Sequence, residues 1–406
     1  MKGFFTLHET QSVFRPGGRV QSCAACGLGK NINTPKMVPY GNFKKGILII
    51  SDFPSQTDDE KGKPLQDSRG RLLSRHLKRI KIDLFEDCLI THSVGCSPSK
   101  AATIGAKEVE NCRKQILHII QEYQPKIIIP LGTLAVESIL GHRWKKGRLG
   151  TIHKWRGWTI PDQDFKAWVC PVYDIKLMKE DKEELNTIWN TDFLNIAALF
   201  NTPFPKWKTP KIHVITDLAP LNEIKTGLIS IDYETTGLKP HAHNHRIICA
   251  SVAINEDECY VFLMPETKDK RKPFLDLLAR KEVGKMAQNI KYEDTWSVHR
   301  LKQQVINWEW DSMLASHILD NRQETTGLKF QTYVQFGVID YASEVAPYLQ
   351  SKETKNGSNS HNRITELLDD PRKTQILLTY CGMDAITQYR LAIKQMKQMN
   401  YSFLPF

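Results

Sequence analysis

Three short runs in the first half of the chain are apolar without alternation: Gly46-Ile-Leu-Ile-Ile50, Cys88-Leu-Ile-Thr91 and Lys126-Ile-Ile-Ile-Pro130. Strands buried on both faces read this way, and the segments between them carry helical spacing, most plainly Ala106 to Tyr123. The first half therefore predicts a parallel sheet covered by helices. In the second half a strand at 228–233 is followed by Arg246-Ile-Ile-Cys-Ala-Ser-Val-Ala-Ile254 and Glu258-Cys-Tyr-Val-Phe-Leu263. Turn signals between them predict antiparallel neighbours, and the later residues read mainly as helices. Between the halves lies Asn201-Thr-Pro-Phe-Pro-Lys-Trp-Lys-Thr-Pro210, whose prolines exclude regular helix. The 406 residues exceed one typical core, so two α/β domains are expected, at 1–203 and 211–406 with a linker at 204–210. Gln350 to Arg363 is polar throughout and predicts a mobile loop.

Composition adds a partner class. Lys and Arg number 56 against 45 Asp and Glu, a net charge of +11, which favours a polyanion such as nucleic acid. The start, Met1-Lys-Gly-Phe-Phe-Thr-Leu-His-Glu9, lacks the apolar core of a signal peptide, and no later run is long enough to span a bilayer. A soluble cytoplasmic protein with no membrane partner is the expectation. The nine cysteines form one close pair, Cys23 and Cys26, and scattered singles, which is no disulfide framework. Metal ligation and buried thiols are expected instead, with Cys88, Cys170, Cys249, Cys259 and Cys381 packed in apolar contexts.

Candidate chemistry begins at Ile229-Ser-Ile-Asp-Tyr-Glu-Thr-Thr-Gly-Leu238. Residues two apart on a strand share a face, so Asp232 and Glu234 stand side by side. Two carboxylates on one face repel unless a cation sits between them, and a divalent metal with oxygen ligands is the natural partner. Such a strand is half of a metal-dependent phosphodiester-cleaving site.

Downstream come Ala287-Gln-Asn-Ile-Lys-Tyr-Glu-Asp294 and Tyr380-Cys-Gly-Met-Asp384. In this order the three blocks resemble the motifs of DnaQ-like 3'-5' exonucleases with four acidic residues, in the subclass whose last motif is Tyr-x-x-x-Asp, over roughly residues 211–406. Trp310-Asp-Ser-Met-Leu-Ala-Ser-His-Ile-Leu-Asp-Asn-Arg322 and Thr326-Gly-Leu-Lys-Phe-Gln331 further resemble the proofreading domain of bacteriophage family A DNA polymerases. The resemblance implies an RNase H-like domain with a mixed sheet and two Mg2+ or Mn2+ ions, held mainly by Asp232, Glu234 and Asp384. Tyr380, one helical turn before Asp384, would orient the attacking water. Asn289 would set its loop, Leu238 would wedge against the terminal base, and Thr235 and Lys291 would join the strand-binding residues. Strict spacing makes Glu293 the acid of the second motif; a shift of one residue would select Asp294. Asp311 reads as a structural hydrogen-bonding residue.

Cys23-Ala-Ala-Cys26, Cys96 and Cys112 offer four thiolates, which suit zinc or an iron-sulfur cluster. Together with Gly62-Lys-Pro-Leu-Gln-Asp-Ser-Arg-Gly-Arg-Leu-Leu73, the Thr91-to-Pro98 block and Pro125-Lys-Ile-Ile-Ile-Pro-Leu-Gly-Thr-Leu-Ala135, they make roughly residues 15–200 similar to the iron-sulfur branch of the uracil-DNA glycosylase superfamily. That resemblance implies a 4Fe-4S cluster, with zinc as the alternative. It also implies a base pocket of an acid, a stacking ring, an amide and a histidine, where this chain has Asp52, Leu65, His92 and Asp174. A retired glycosylase is expected, its basic and aromatic residues still gripping a phosphate backbone: Arg69, Arg71, Lys145, Lys146, Arg148, Lys154, Trp155, Arg156 and Trp158.

The two resemblances together imply a metal-dependent 3'-5' exonuclease subunit acting in DNA replication on single-stranded or primer-template 3' ends. Because the sequence stops at Tyr401-Ser-Phe-Leu-Pro-Phe406, the polymerase is expected to be a separate chain, in a bacterial host's cytoplasm if the protein is phage-encoded. The rivals are a non-catalytic DNA-binding or processivity protein and a DNA-repair glycosylase-nuclease.

Overall fold

The computed structural model describes residues 26–30, 32–98, 104–144, 149–178, 182–339, 341–351 and 360–403. It resolves into two compact α/β units, one running to Trp207 and taking in Tyr333–Val338, the other comprising the remainder from Lys208 onward. No described helix is long and apolar enough to cross a membrane.

In the first unit, β1 (Ile47–Ser51), β2 (Cys88–His92) and β3 (Ile127–Pro130) are the three apolar runs, and every residue in them is buried. With β4 (Ile160–Asp162) and β5 (Ala167–Val169) they form a sheet of order β2-β1-β3-β5-β4, parallel except for the edge strand β4. Helices α1 (Ser68–Arg79), α2 (Ala106–Tyr123), α3 (Thr133–Leu140) and α4 (Glu183–Ala198) carry the alternating apolar stripes of covering helices. Asp67 caps α1 by accepting from Arg69 N. The register sets Ser51 beside His92, so the residues following β1, β2 and β3 meet at one edge of the sheet. In a parallel sheet that carboxyl edge is where ligands bind.

The second unit has a mixed sheet of order β11-β10-β7-β8-β9-β6. Strands β7 (Gly227–Thr235), β8 (Ile247–Ala253) and β9 (Glu258–Leu263) are the predicted antiparallel meander. The later residues are mainly helical, as expected, but β10 (Val283–Ala287) and β11 (Trp308–Asp311) also extend the sheet parallel to β7. Strand β6 (Lys211–Val214) closes the other edge. Among the helices, α5 (Lys268–Ala279) covers the face that holds Ile229, Ile231 and Tyr233, α6 (Ile290–Trp296) lies between β10 and β11, and α7 (Ser312–Leu319) follows β11, as does α8 (Leu328–Phe336), whose end from Tyr333 belongs to the first unit. The long α9 (Pro371–Gln398), capped by Asp370 with Pro371 in its first turn, packs on the opposite face. Its approach is close at Gly382, where a Cβ would lie 2.8 Å from Ile212 Cγ2. Ser251 Oγ donates to Cys381 O at 2.9 Å and ties the helix to β8. Of the polar segment Gln350 to Arg363, residues 352–359 lie outside the described residues.

Candidate active site

Alternation along β7 sends Tyr233 into the core, where its hydroxyl meets Ser297 Oγ at 2.9 Å, and turns Asp232 and Glu234 toward α9. Helix α9 answers with Tyr380 and Asp384, one turn apart. Asp232, Glu234 and Asp384 bring their carboxylate oxygens within 4.8 Å of one another, with Asp232 half-buried and the other two buried. Burial first, and then the Asp384 charge, pushes Asp232 up to about 8. Glu234 is raised well above the carboxylate range by burial and then by Asp232. The charged forms of these groups are thus strained together in the absence of compensation, and oxygen ligands so gathered fit a hard divalent cation.

The fourth predicted acid is also inside. Glu293 is buried, its Oε2 has no hydrogen-bond partner among the described residues, and burial followed by the charge of Asp232 raises its carboxyl. Asp294 points elsewhere and accepts from Trp308 Nε1 at 2.9 Å. Asp311 accepts from the backbone of Asn289 and Ile290 at 3.1 and 2.9 Å, and from Met313 and Leu314 at 2.9 and 3.2 Å. Asn289 has φ 69°, a left-handed conformation that asparagine tolerates. Thr235 Oγ1 contacts Tyr292 Oη at 2.5 Å and donates to Gly237 O at 2.7 Å; Leu238 and Lys291 are exposed nearby in sequence.

Three contacts at this site were not foreseen. Lys329 Nζ pairs with Asp384 while lying 3.8 and 4.3 Å from the ring centroids of Tyr341 and Tyr380. Tyr341 donates from its hydroxyl to Asp384 Oδ1 at 2.5 Å. Cys381, expected merely to pack, directs its thiol at Asp232 Oδ2, 3.6 Å away. Lys329 stood inside the Thr326-to-Gln331 block and could have been suspected from it; Tyr341 had no signal in the sequence.

In the first unit Asp52, His92 and Asp174, three of the four pocket positions, stand at the carboxyl edge. Asp52 follows β1, and Lys176 Nζ lies 3.2 Å from its Oδ2 and 3.6 Å from Asp174 Oδ2. Gly132, at φ 88°, leaves room beside them, since a Cβ there would be 3.0 Å from Asp174 Cβ and 3.4 Å from Asp52 Oδ1. Burial, then the neighbouring Asp174, pushes Asp52 up to about 7. His92 is buried with neither ring nitrogen hydrogen-bonded among the described residues, and burial pushes it down to about 3. Leu65 is buried at φ 55°.

Part of the proposed phosphate grip requires correction. Arg69 is only 5% exposed and binds Asp67 Oδ2 at 2.8 Å and Asp58 Oδ2 at 3.1 Å, so it is an internal ion pair. Lys154 and Trp155 are buried, and Trp158 gives its indole N–H to Lys154 O at 3.2 Å. Arg156 faces Asp192 at 3.5 Å, while Arg71 stays exposed. Lys145, Lys146 and Arg148 lie outside the described residues, as does Cys23. Cys96 is buried and accepts from Lys36 N at 3.4 Å; Cys26 and Cys112 are half-buried.

With this geometry in place, residues 38–190 match the family model described as the uracil DNA glycosylase superfamily, and residues 213–400 match the one described as 3'-5' exonuclease. The chain is thus a glycosylase-superfamily domain followed by a 3'-5' exonuclease domain. The type-4 uracil-DNA glycosylase of Pyrobaculum aerophilum is 30% identical over 30% of this chain, which spans 61% of that protein's length. The type-4 uracil-DNA glycosylase of Thermotoga maritima is 28% identical over 42% of this chain and 85% of the relative. Among solved structures, Brucella melitensis NrnC is 16% identical, with a TM-score of 0.34 over 48% of this chain and 85% of that one. The carboxylate site belongs to the exonuclease domain, and the Asp52 cluster to the glycosylase-superfamily domain. Clustered carboxylates with a tyrosine on the same helical face can hold metal and position water, whereas the Asp52 cluster carries its own counter-ion in Lys176.

Proposed function

We propose that the protein is a metal-dependent 3'-5' DNA exonuclease that proofreads beside a polymerase in DNA replication. One observation carries the reading: the convergence of Asp232, Glu234 and Asp384 inside a domain matched to 3'-5' exonucleases. The donor set is all oxygen and its charge exceeds what Lys329 offsets, which suits Mg2+ or Mn2+. Asp232, Glu234 and Asp384 would hold two such ions, with Glu293 behind them. Bound there, the metal supplies activation of water and stabilisation of charge on the departing 3' oxygen. Tyr380 presents its hydroxyl to the attacking water; its phenol is pushed up by burial first and then by Asp384, so it stays protonated and donates. Leu238, Thr235, Asn289 and Lys291 bind the strand end. The proofreading role draws on the resemblance of the Trp310-to-Arg322 and Thr326-to-Gln331 blocks to polymerase proofreading domains.

The glycosylase-superfamily domain serves this enzyme as a scaffold that adds affinity for DNA, chiefly through groups such as Arg71, and does not release uracil. Leu65 offers no stacking ring, His92 is buried and neutral, and Asp174 presents a carboxyl group where an electrophile is needed. Cys23, Cys26, Cys96 and Cys112 hold a 4Fe-4S cluster, consistent with the backbone N–H that Cys96 sulfur already accepts. The deciding experiment incubates the purified protein with 3'-labelled single strands of DNA and of RNA, with Mg2+ or with a chelator. Metal-dependent shortening of the DNA from its 3' end is expected, with RNA cut more slowly. Intact DNA under both conditions would leave the accessory-protein reading in its place.

A further inference from the structure

Beyond Thr235 the chain runs through Leu238-Lys-Pro-His-Ala-His-Asn-His-Arg246, a loop with three histidines and two permanent cations. His241, His243 and Arg246 are exposed, while His245 is buried against Gly237, where a Cβ would sit 2.0 Å from its Cε1. Two distant segments bring further histidines to this loop. The exposed ring of His299 lies 6.1 Å from that of His241, and the adjacent Arg300 donates to Ala242 O at 2.6 Å. His361, also exposed, stacks on His245 with centroids 4.1 Å apart and places Nε2 3.1 Å from His243 O. The next residue fastens this assembly to the catalytic strand: Asn362 donates from N to Thr236 O at 2.9 Å and from Nδ2 to Thr235 O at 2.8 Å.

The surroundings are cationic. Lys239 and Arg246 share the loop, Arg300 supports it from below, and Arg363 follows His361 but is neutralised by Glu366. Residues 235–255, 295–308 and 360–365 contain no Asp or Glu. The histidine nitrogens do not gather as metal ligands either; the close ligand group among the described residues is the carboxylate one. An imidazole is a cation only when protonated, so wherever histidines meet a polyanion, binding and proton uptake are coupled.

We propose that this histidine loop grips the phosphate backbone of the strand whose 3' end lies at Asp232 and Glu234, and that the grip tightens as the histidines gain protons. The inference rests on the exonuclease reading for the placement of that strand. It assigns the nucleic-acid path to one flank of β7 and makes strand retention pH-dependent while the pair Lys239 and Arg246 provides a constant base level.

The test measures binding of the full chain to a fluorescent oligothymidylate in chelator, between about pH 5.5 and about pH 8, across a salt series. Wild type should bind at least about tenfold tighter at the lower pH, with the salt slope steeper by about 0.7 for each histidine engaged. The variant H241Q/H243Q/H299Q/H361Q should lose most of both effects, the remainder belonging to carboxyls such as Asp232 that also gain protons in this window, and keep its affinity at the higher pH within about twofold, which also shows that it is folded. The variant K239Q/R246Q should bind more weakly at both pH values and retain the acid-dependent gain. A quadruple variant that still tightens fully in acid overturns the proposal, as does K239Q/R246Q binding like wild type. Mg2+-dependent hydrolysis of the same oligonucleotide at the higher pH is run in parallel. Its absence in wild type defeats the exonuclease reading, whereas hydrolysis with no histidine-dependent binding defeats only the loop.

Discussion

Each domain holds a cluster of carboxylates with one lysine, and the two clusters differ in how far the lysine goes. In the glycosylase-superfamily domain, Lys176 touches both Asp52 and Asp174, and the pair needs nothing more once Asp52 carries a proton. In the exonuclease domain, three carboxylates meet with Glu293 close by, and Lys329 pairs with Asp384 alone. Acidic residues by themselves therefore do not mark a metal site. A remainder of charge larger than one lysine offsets does, because an added divalent cation relieves it without protonating the oxygens.

The comparison breaks most visibly at Asp232. Replacing Asp232 or Glu234 by Ala should lower 3' hydrolysis by at least about a thousandfold, since the metal contributes several kcal/mol to such a displacement. Asp174→Ala in the other cluster should leave hydrolysis within about threefold. Equal rates for wild type and Asp232→Ala in a single-turnover assay would remove the carboxylate cluster from catalysis.

A smaller loss is expected from Tyr380→Phe, roughly a hundredfold in rate with Mn2+ binding preserved, as befits a group that positions water. Glu293→Gln should slow hydrolysis more than Asp294→Asn, whose carboxylate is engaged with Trp308. The reverse order would transfer the fourth acid to Asp294.

Smaller still is a pH effect in the first domain. The carboxyl of Asp52 is raised in the fold to about 7 against an ordinary unfolded value, so its protonated form is favoured by folding. That stability is fully present below the unfolded value near pH 4 and is lost as pH rises through about 7. Amide exchange at Val94 and Leu131, whose N–H groups bond Asp52 O and Ile50 O, should thus show wild type losing stability relative to Asp52→Asn between pH 5 and pH 8 by on the order of 2 kcal/mol, a difference that removes the opposite contribution of His92, whose depressed imidazole favours the fold at higher pH. Equal slopes in the two proteins would show that Asp52 does not titrate in this window. The smallest expectation is no free uracil at all from uracil-containing DNA, and any release sensitive to Asp52 would revive the glycosylase.

Much of this was legible in the chain because it is local. The fully apolar β1, β2 and β3 and the meander of β7, β8 and β9 announce themselves by pattern. Strand β10 does not, since Gly284 and Lys285 interrupt Val283-Gly-Lys-Met-Ala287, yet Lys285 is wholly buried and bonds Arg280 O. The carboxylates were found by their spacing, and Lys329 stands in the Thr326-to-Gln331 block, but Tyr341 reaches Asp384 from 43 residues away with no motif to mark it. Arg69 misled for a related reason. A basic residue at a helix start looks like a phosphate ligand until Asp58 and Asp67 are seen on either side of it.

Asp311 bears on how variants of this enzyme are to be interpreted. Its one carboxylate collects four backbone N–H groups from two separate chain segments, the turn that opens α6 and the first turn of α7. Glu293 rides on α6, four residues beyond the first of those amides. A neutral side chain at 311 would let the opening turn swing and carry Glu293 with it, so the variant would resemble the loss of a metal-binding acid although residue 311 is not one of the three gathered carboxylates. An activity screen alone would count one catalytic carboxylate too many.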